Sequence, residues 1–230
     1  MRFEDLNWMD VERYLETDDR IILVTGATEQ HGYLSLLTDM LIPTKIAEAA
    51  AEREGVLVAP PFNFGYSREF SFYPGTISIT RHTFDLVLVE VVESLLHQGF
   101  RRFLLLNGHG GNFLPARLHD FLSEDEVQVV WYDWRLGKAL RDFELRHNIV
   151  FGHANWGENF SFTRVSEVPN IEKPTIILPD EFEDPQAARD TLGDGSFGGL
   201  YQIDEALMQE LFTAVVDETA GIIREMKIQS

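Results

Sequence analysis

The sequence predicts an α/β fold built on a mainly parallel sheet with helices on both faces. Three observations carry that expectation. Short runs rich in Ile, Leu and Val recur along the chain, glycines punctuate their ends, and stretches with apolar residues at helical spacing lie between them. The 230 residues, 44% of them hydrophobic, suffice for a substantial core, so one domain spanning 1–230 is expected.

The elements follow in order. Arg20 to Thr25 is a β-branched run bounded by Gly26 and reads as a buried strand. A helix follows from Thr38, read as its cap, through the alanine-rich stretch 46–51, with Gly55 just beyond its end. Val56 to Ala59 is the second strand. Residues 60–82 carry prolines and the aromatics Phe62, Phe64, Tyr66, Phe70, Phe72 and Tyr73 without helical period, and an ordered loop of that length usually has a function. Thr83 is read as the cap of a helix whose apolar positions run from Val87 to Leu96 and which Gly99 ends. Arg101 to Leu106 is the third strand, Phe113 to Phe121 a further helix and Val127 to Tyr132 a fourth strand. Leu207, Met208, Leu211, Phe212, Val215, Val216, Ile222 and Ile223 form the stripe of a long closing helix.

Composition narrows the function. Nineteen Lys and Arg against 38 Asp and Glu give a net charge of -19, which argues against nucleic acid and anionic membranes as partners. Most of those carboxylates form a solvated face. With no cysteine, only His, Asp and Glu remain as strong metal-ligating side chains, and such a set suits Zn, Mn or Fe. The first twenty residues are acidic and lack an apolar run, and no stretch reaches the roughly 20 apolar residues of a membrane span, so a cytoplasmic protein is expected.

In open α/β sheets ligands bind outside the carboxyl ends of the strands. Two loops at that edge concentrate metal-binding residues. In the first, Glu29 and His31 stand two apart and share a side if the chain is extended, and Asp39 follows where the next helix begins. In the second, His109 sits among Gly108, Gly110 and Gly111, where the backbone can turn sharply. A third segment, His153 to Ser161, adds His153 and Glu158. Each has a plainer reading: Asn155 and Glu158 fit a helix-capping pair, Asp39 a first-turn acid, and either loop histidine a backbone-satisfied imidazole. The glycine turns could bind phosphate, but the Lys and Ser/Thr of a P-loop are missing. His82, His97, His119 and His147 fall on or beside helices and are read as core or surface. Gly193 to Gly198 has the form of a dinucleotide fingerprint, follows no apolar strand, and reads as a turn; Ser196 is no nucleophile elbow. A metal-activated water is left as the nucleophile.

Glu29-Gln-His31-Gly32 with Thr38-Asp39, Tyr73-Pro-Gly-Thr-Ile-Ser78, Asn107-Gly-His-Gly-Gly-Asn112 and His153 to Glu158 together resemble the creatininase family, over about residues 20–200. The resemblance implies a three-layer α/β/α fold, a hexameric homo-oligomer and two divalent metals at the carboxyl edge of the sheet. It further implies Glu29, His31, His109 and Glu158 as metal ligands, Asp39 as the bridge between the ions, His153 as the catalytic proton-transfer group, and Trp156 as a substrate-pocket residue unless it belongs to the core. The reaction it implies is hydrolysis of a C–N amide bond in a small, possibly cyclic, amide.

The sequence departs from the family pattern in two places. Its first loop is one residue shorter than the usual EQHGPHLP arrangement, without the second histidine and the proline. Creatininase carries a glutamate where this sequence has Gly111, so the resemblance points to a reaction class rather than to creatinine. A deformylase or peptidase-like member, a metal-free scaffold subunit and a flavodoxin-like binding module are the alternatives. Metal content separates the scaffold from the enzyme, and bound-cofactor absorbance would mark the third.

Overall fold

The computed structural model describes residues 1–121, 126–179 and 182–226. Four parallel strands, β1 (Arg20–Thr25), β2 (Leu57–Val58), β3 (Arg102–Asn107) and β4 (Gln128–Asp133), form a sheet in the order β2-β1-β3-β4. The chain leaves β1 for β2 on one side and returns to β3 on the other. The strand order therefore reverses beside β1 and β3, which pair in register from Arg20 with Arg102 to Thr25 with Asn107.

Alternation along the strands divides the core into two layers. Ile22 and Val24 of β1 and Leu104 and Leu106 of β3 point into one cluster, shared with α2 (Thr38–Glu54), α5 (Lys138–His147) and α7 (Glu205–Glu225). Ile21, Leu23, Phe103 and Leu105 point the other way, toward α1 (Trp8–Leu15), α3 (Arg81–Gln98) and α4 (Ala116–Phe121). This is the three-layer α/β/α arrangement. No helix of the described residues is long and apolar enough to cross a membrane.

Several expected boundaries move, each for a local reason. Thr38 is the first residue of α2 rather than its cap, because its hydroxyl turns back to donate to Ser35 O at 2.7 Å. Thr80, not Thr83, caps α3 by accepting from the Thr83 amide at 3.1 Å, and the helix begins two residues earlier than Thr83. Pro115 disfavours helical backbone at Leu114, and α4 starts only at Ala116. The helices α1, α5 and α6 (Pro185–Leu192) were not assigned from the sequence. A short antiparallel ribbon of β5 (Glu172–Lys173) and β6 (Gly199–Leu200) lies beyond the sheet and holds the Gly193 to Gly198 turn in place.

Candidate metal centre

The carboxyl ends of β1, β3 and β4 are tied together by side-chain amides. Thr25 Oγ1 donates to Asn107 Oδ1 at 3.1 Å, while Asn107 Nδ2 donates to His109 O at 2.7 Å and Asp133 Oδ2 at 2.9 Å. Asn112 Nδ2 donates to Gly26 O at 3.0 Å, closing the second loop on the first. These bonds hold the loops after β1 and β3 at a fixed separation, and the start of α2 lies between them.

Glu29, His31, Asp39, His109 and Glu158 converge there, all buried. Asp39 is central. Its Oδ1 lies 3.0 Å from His31 Nε2 and its Oδ2 lies 2.8 Å from His109 Nδ1, so the two carboxylate oxygens address different imidazoles. Glu158 Oε2 is 3.7 Å from His31 Nε2, and Glu29 Oε1 is 3.3 Å from His109 Nδ1. Three ligand triplets result among the described residues: Glu29, Asp39 and His109 on one side and His31, Asp39 and Glu158 on the other share Asp39, and Glu29, His31 and His153 form a third.

The far ring nitrogens are already engaged. His31 Nδ1 lies 3.1 Å from Glu29 O, and His109 Nε2 lies 2.8 Å from Tyr66 O. Donation to a backbone carbonyl places the proton on that nitrogen and leaves the opposite one with its lone pair toward the cluster, the arrangement usual for metal-bound histidine. Glu29 Oε2 is buried with no hydrogen-bond partner. A carboxylate oxygen in that position needs a positive group, and the donor set of three carboxylates and two imidazoles fits hard to borderline divalent cations.

The charges are strongly coupled. Burial opposes charge on His31, but Asp39, Glu158 and Glu29 outweigh it and lift the imidazole to about 10. Burial likewise opposes a charged His109, and the attraction of Glu29 and Asp39 raises it well above its ordinary value. Asp39 is held well below the usual carboxylate range because the two imidazoles overcome its burial. Glu158 moves the other way: burial pushes it up to about 7, with His31 pulling against the shift. The cluster therefore demands positive charge at its centre.

His153 stands beside the cluster with Nδ1 3.8 Å from Glu29 Oε1. Burial and repulsion from His31 and His109 hold it well below its ordinary value, so it is neutral at pH 7. Among the described residues its Nε2 has hydrogen-bond partners on Gln30, at 2.9 Å to the side-chain amide nitrogen and 3.1 Å to the backbone carbonyl. Phe70 stacks on the ring at 4.7 Å between centroids, and Phe197 packs at 4.9 Å.

A cleft of about 250 Å³ opens over Glu29, His109 and His153, walled by Phe70, Phe197 and Arg135. The structure does not bring Trp156 to it. That indole is buried against Phe143, donates Nε1–H to Val150 O at 2.8 Å and lines a separate cavity of about 510 Å³ with Phe151 and Leu200. Trp156 thus lies among the core aromatics and outside the cleft over the cluster. The capping reading of the third segment holds beside the ligand reading. Asn155 Oδ1 accepts from the Gly157 amide at 3.0 Å, while Glu158 reaches back to the Ala154 amide at 2.6 Å with the same Oε2 that faces His31.

Sequence reasoning passed over Gln30, Tyr66, Phe70, Arg135 and Phe197. The aromatic loop 60–82 was the available signal for two of them. That loop also accounts for Gly111: a Cβ there would run into the Tyr66 carbonyl and the His109 ring, so no larger side chain fits.

The creatininase family model, described as creatinine amidohydrolase, matches residues 4–223. The chain belongs to the creatininase family. It is 32% identical over 143 residues to the 3-dehydro-scyllo-inosose hydrolase of Thermotoga maritima, covering 61% of this chain and 46% of that protein. It is 32% identical over 115 residues to the creatinine amidohydrolase of Pseudomonas putida, covering 47% and 44%, and 38% identical over 99 residues to the mycofactocin precursor peptide peptidase of Mycolicibacterium smegmatis, covering 40% of each. The matched stretches thus span less than half the length of each relative. A solved creatinine amidohydrolase (creatininase) superposes with a TM-score of 0.81 at 21% identity over 99% of this chain and 98% of that one, and a structure described as creatininase Mn gives 0.81 at 23% identity over 97% of each. At that identity the likeness concerns the fold.

Proposed function

We propose that this creatininase-family chain is a metal-dependent amidohydrolase that cleaves a C–N amide bond of a small amide. In this reading Glu29, His31, Asp39, His109 and Glu158 hold two divalent cations, Zn, Mn or Fe, with Asp39 as the shared ligand. The observation that carries it is the Asp39 carboxylate, whose two oxygens each face a different imidazole inside a different triplet. Ions bound there would supply Lewis-acid polarisation of the amide carbonyl and a nucleophile at neutral pH.

The remaining work falls to the chain's own residues. The backbone bonds from His31 and His109 hold both rings at one angle, so little reorganisation is needed when substrate binds. Phe70 and Phe197 keep water away from one side of the cleft and fix the His153 ring. Gln30 engages Nε2 of that ring, while Nδ1 faces the cluster. Neutral His153 would first take a proton from the attacking water at Nδ1, and because its charged form is disfavoured it would then pass that proton to the leaving nitrogen. We further propose that the protein acts in the cytoplasm as a homo-oligomer.

The test is elemental analysis of protein purified without chelator, followed by a panel of cyclic and linear amides that includes formamides. About two metals per chain with hydrolysis of at least one amide is the expected result, and His109→Ala should lose both. A metal-free wild-type protein without turnover would replace the enzyme with a scaffold subunit. A peptidase-like or deformylase activity is the second reading, favoured by the similarity to the mycofactocin precursor peptide peptidase, and the same panel separates it.

A further inference from the structure

The cleft above the metal cluster has a cationic side that the hydrolytic reading leaves unused. Arg81 lines it together with Glu29, His109 and Gly111. Its guanidinium lies 4.4 Å from the centroid of the Tyr66 ring and 4.7 Å from that of Phe113. The two rings come from the two segments that build the cluster. Tyr66 also supplies the carbonyl contacted by His109 Nε2, and Phe113 follows the Asn112 that ties the loops together. The guanidinium is therefore held in a fixed relation to the metal ligands.

Three features say that this cation is placed for a ligand. Among the described residues it has the two rings as contacts and no carboxylate within ion-pair distance, and Asp85, one turn along α3 in the adjoining pocket, forms no ion pair with it. Arg81 is also the first residue of α3, where the helix dipole disfavours a cation and favours an anion, so helix stability does not account for it. Finally, Phe113 is 57% exposed, so its ring is open to solvent beside the guanidinium and available as a wall for a ligand. Arg135 is a different case, since Asp133 already pairs with it through Nε at 3.0 Å and Nη2 at 2.5 Å.

We infer that Arg81, held between Tyr66 and Phe113, is a substrate-binding residue that recognises a carboxylate on the amide substrate, remote from the bond that is cut. A planar guanidinium matches a carboxylate with two parallel hydrogen bonds, and stacking on aromatic rings leaves its edge free to make them. Arg68 and Arg135 line the same cleft as Glu29 and Glu69, so the preference for a single carboxylate over a phosphate rests on the net charge of -19, which disfavours the approach of a multiply charged anion. The substrate class is then an N-acylated amino acid or a short peptide end. This deepens the amidohydrolase reading and rests on it for the chemistry, but the anion contact can be measured by itself.

The test uses zinc-loaded wild-type protein and three acid and amide pairs of increasing spacer length: N-acetylglycine, N-acetyl-β-alanine and N-acetyl-4-aminobutyrate, each against its terminal carboxamide. Calorimetry gives affinities and an amine-release assay gives turnover. At least one acid should bind about tenfold or more tightly than its amide, as a charge-assisted contact implies. In Arg81→Gln that ratio should fall to near one. Arg81→Lys, which keeps the charge but not the fork, should lie between, and it carries the comparison if Arg81→Gln folds poorly. Wild-type protein that prefers none of the acids overturns the inference, as does a preference that survives undiminished in both variants, because the carboxylate would then be binding the metals. An Arg81-dependent preference without amine release leaves the anion site standing and removes the hydrolase reading. Turnover without acid preference does the reverse.

Discussion

Adding one methyl group at Gly65 should loosen the proposed metal site without replacing any of its proposed ligands. A Cβ at that position would lie 2.7 Å from Asn112 Oδ1, 2.9 Å from the backbone oxygen of Gly26 and 2.9 Å from His109 Cδ2. Ordinary carbon to oxygen contact is about 3.3 Å and carbon to carbon about 3.5 Å or more, so the neighbours must yield by roughly 0.4–0.6 Å. The Gly26 carbonyl belongs to the turn after β1 and accepts from Asn112, leaving the His109 ring and the Asn112 amide as the atoms that move. Metal sites tolerate about 0.2 Å in ligand distance, so the displacement exceeds what His109 can absorb.

Gly65→Ala should therefore weaken zinc binding by about 10–100-fold, the range typical of changes just outside the ligands. It should also cost about 1–3 kcal/mol from overpacking, a fall in Tm of about 2–12 °C for a chain of this size. Competition with a chromophoric chelator reads the affinity and a thermal melt reads the stability. Gly55→Ala is the control: Gly55 ends α2 at φ 70° with no atom near its missing side chain, so alanine there should cost about 1–2 kcal/mol of backbone strain and leave zinc affinity intact. If Gly65→Ala binds zinc like the wild type, or if Gly55→Ala loses as much affinity, the link from loop packing to ligand geometry is wrong.

Two further outcomes follow from the site's surroundings. Trp156→Phe should lose about 1–3 kcal/mol, from the removed bulk and the hydrogen bond to Val150 O, with KM unchanged because the indole lies outside the cleft; a raised KM at unchanged Tm would return Trp156 to the substrate pocket. Asp194 is held below the usual carboxylate range, because Lys173 Nζ at 2.5 Å and the hydroxyl of Tyr201 outweigh its partial burial. Its folded value is depressed, so its contribution is fully present above the unfolded value of about 3.9 and disappears as pH falls through the folded one. Denaturant melts of Asp194→Asn should thus show a loss of stability at pH 7 that shrinks at pH 3, and an equal loss at both would exclude the ionic contribution.

The arrangement of local elements was legible in the residues themselves. β1 and β3 read as strands because runs such as Ile21 to Val24 and Phe103 to Leu106 are buried on both faces, so nearly every position is apolar. Gly55 and Gly99 marked helix ends because a left-handed residue is required there, at φ 70° and 113°. His31 and His109 stood out because a short loop after a buried strand has few reasons to carry an imidazole. α1 and α6 were harder to read because each is only eight residues, about two turns, so their apolar spacing does not run long enough to stand out from the flanking loops.

Tertiary structure decided what those residues could do together. Nothing within the segment from Glu29 to Asp39 states that the two oxygens of Asp39 will face histidines on different loops; that depends on β1 and β3 pairing in register and on α2 starting between their ends. Trp156 sits two residues from Glu158, yet the 3-10 turn between them sends the carboxylate to the cluster and the indole into the core. Sequence reports which chemical groups are available and their local backbone preferences, because those depend on near neighbours. Which groups meet depends on contacts across dozens of residues, from Asp39 to His109 and from His31 to Glu158, and only the packed sheet and its loops set those.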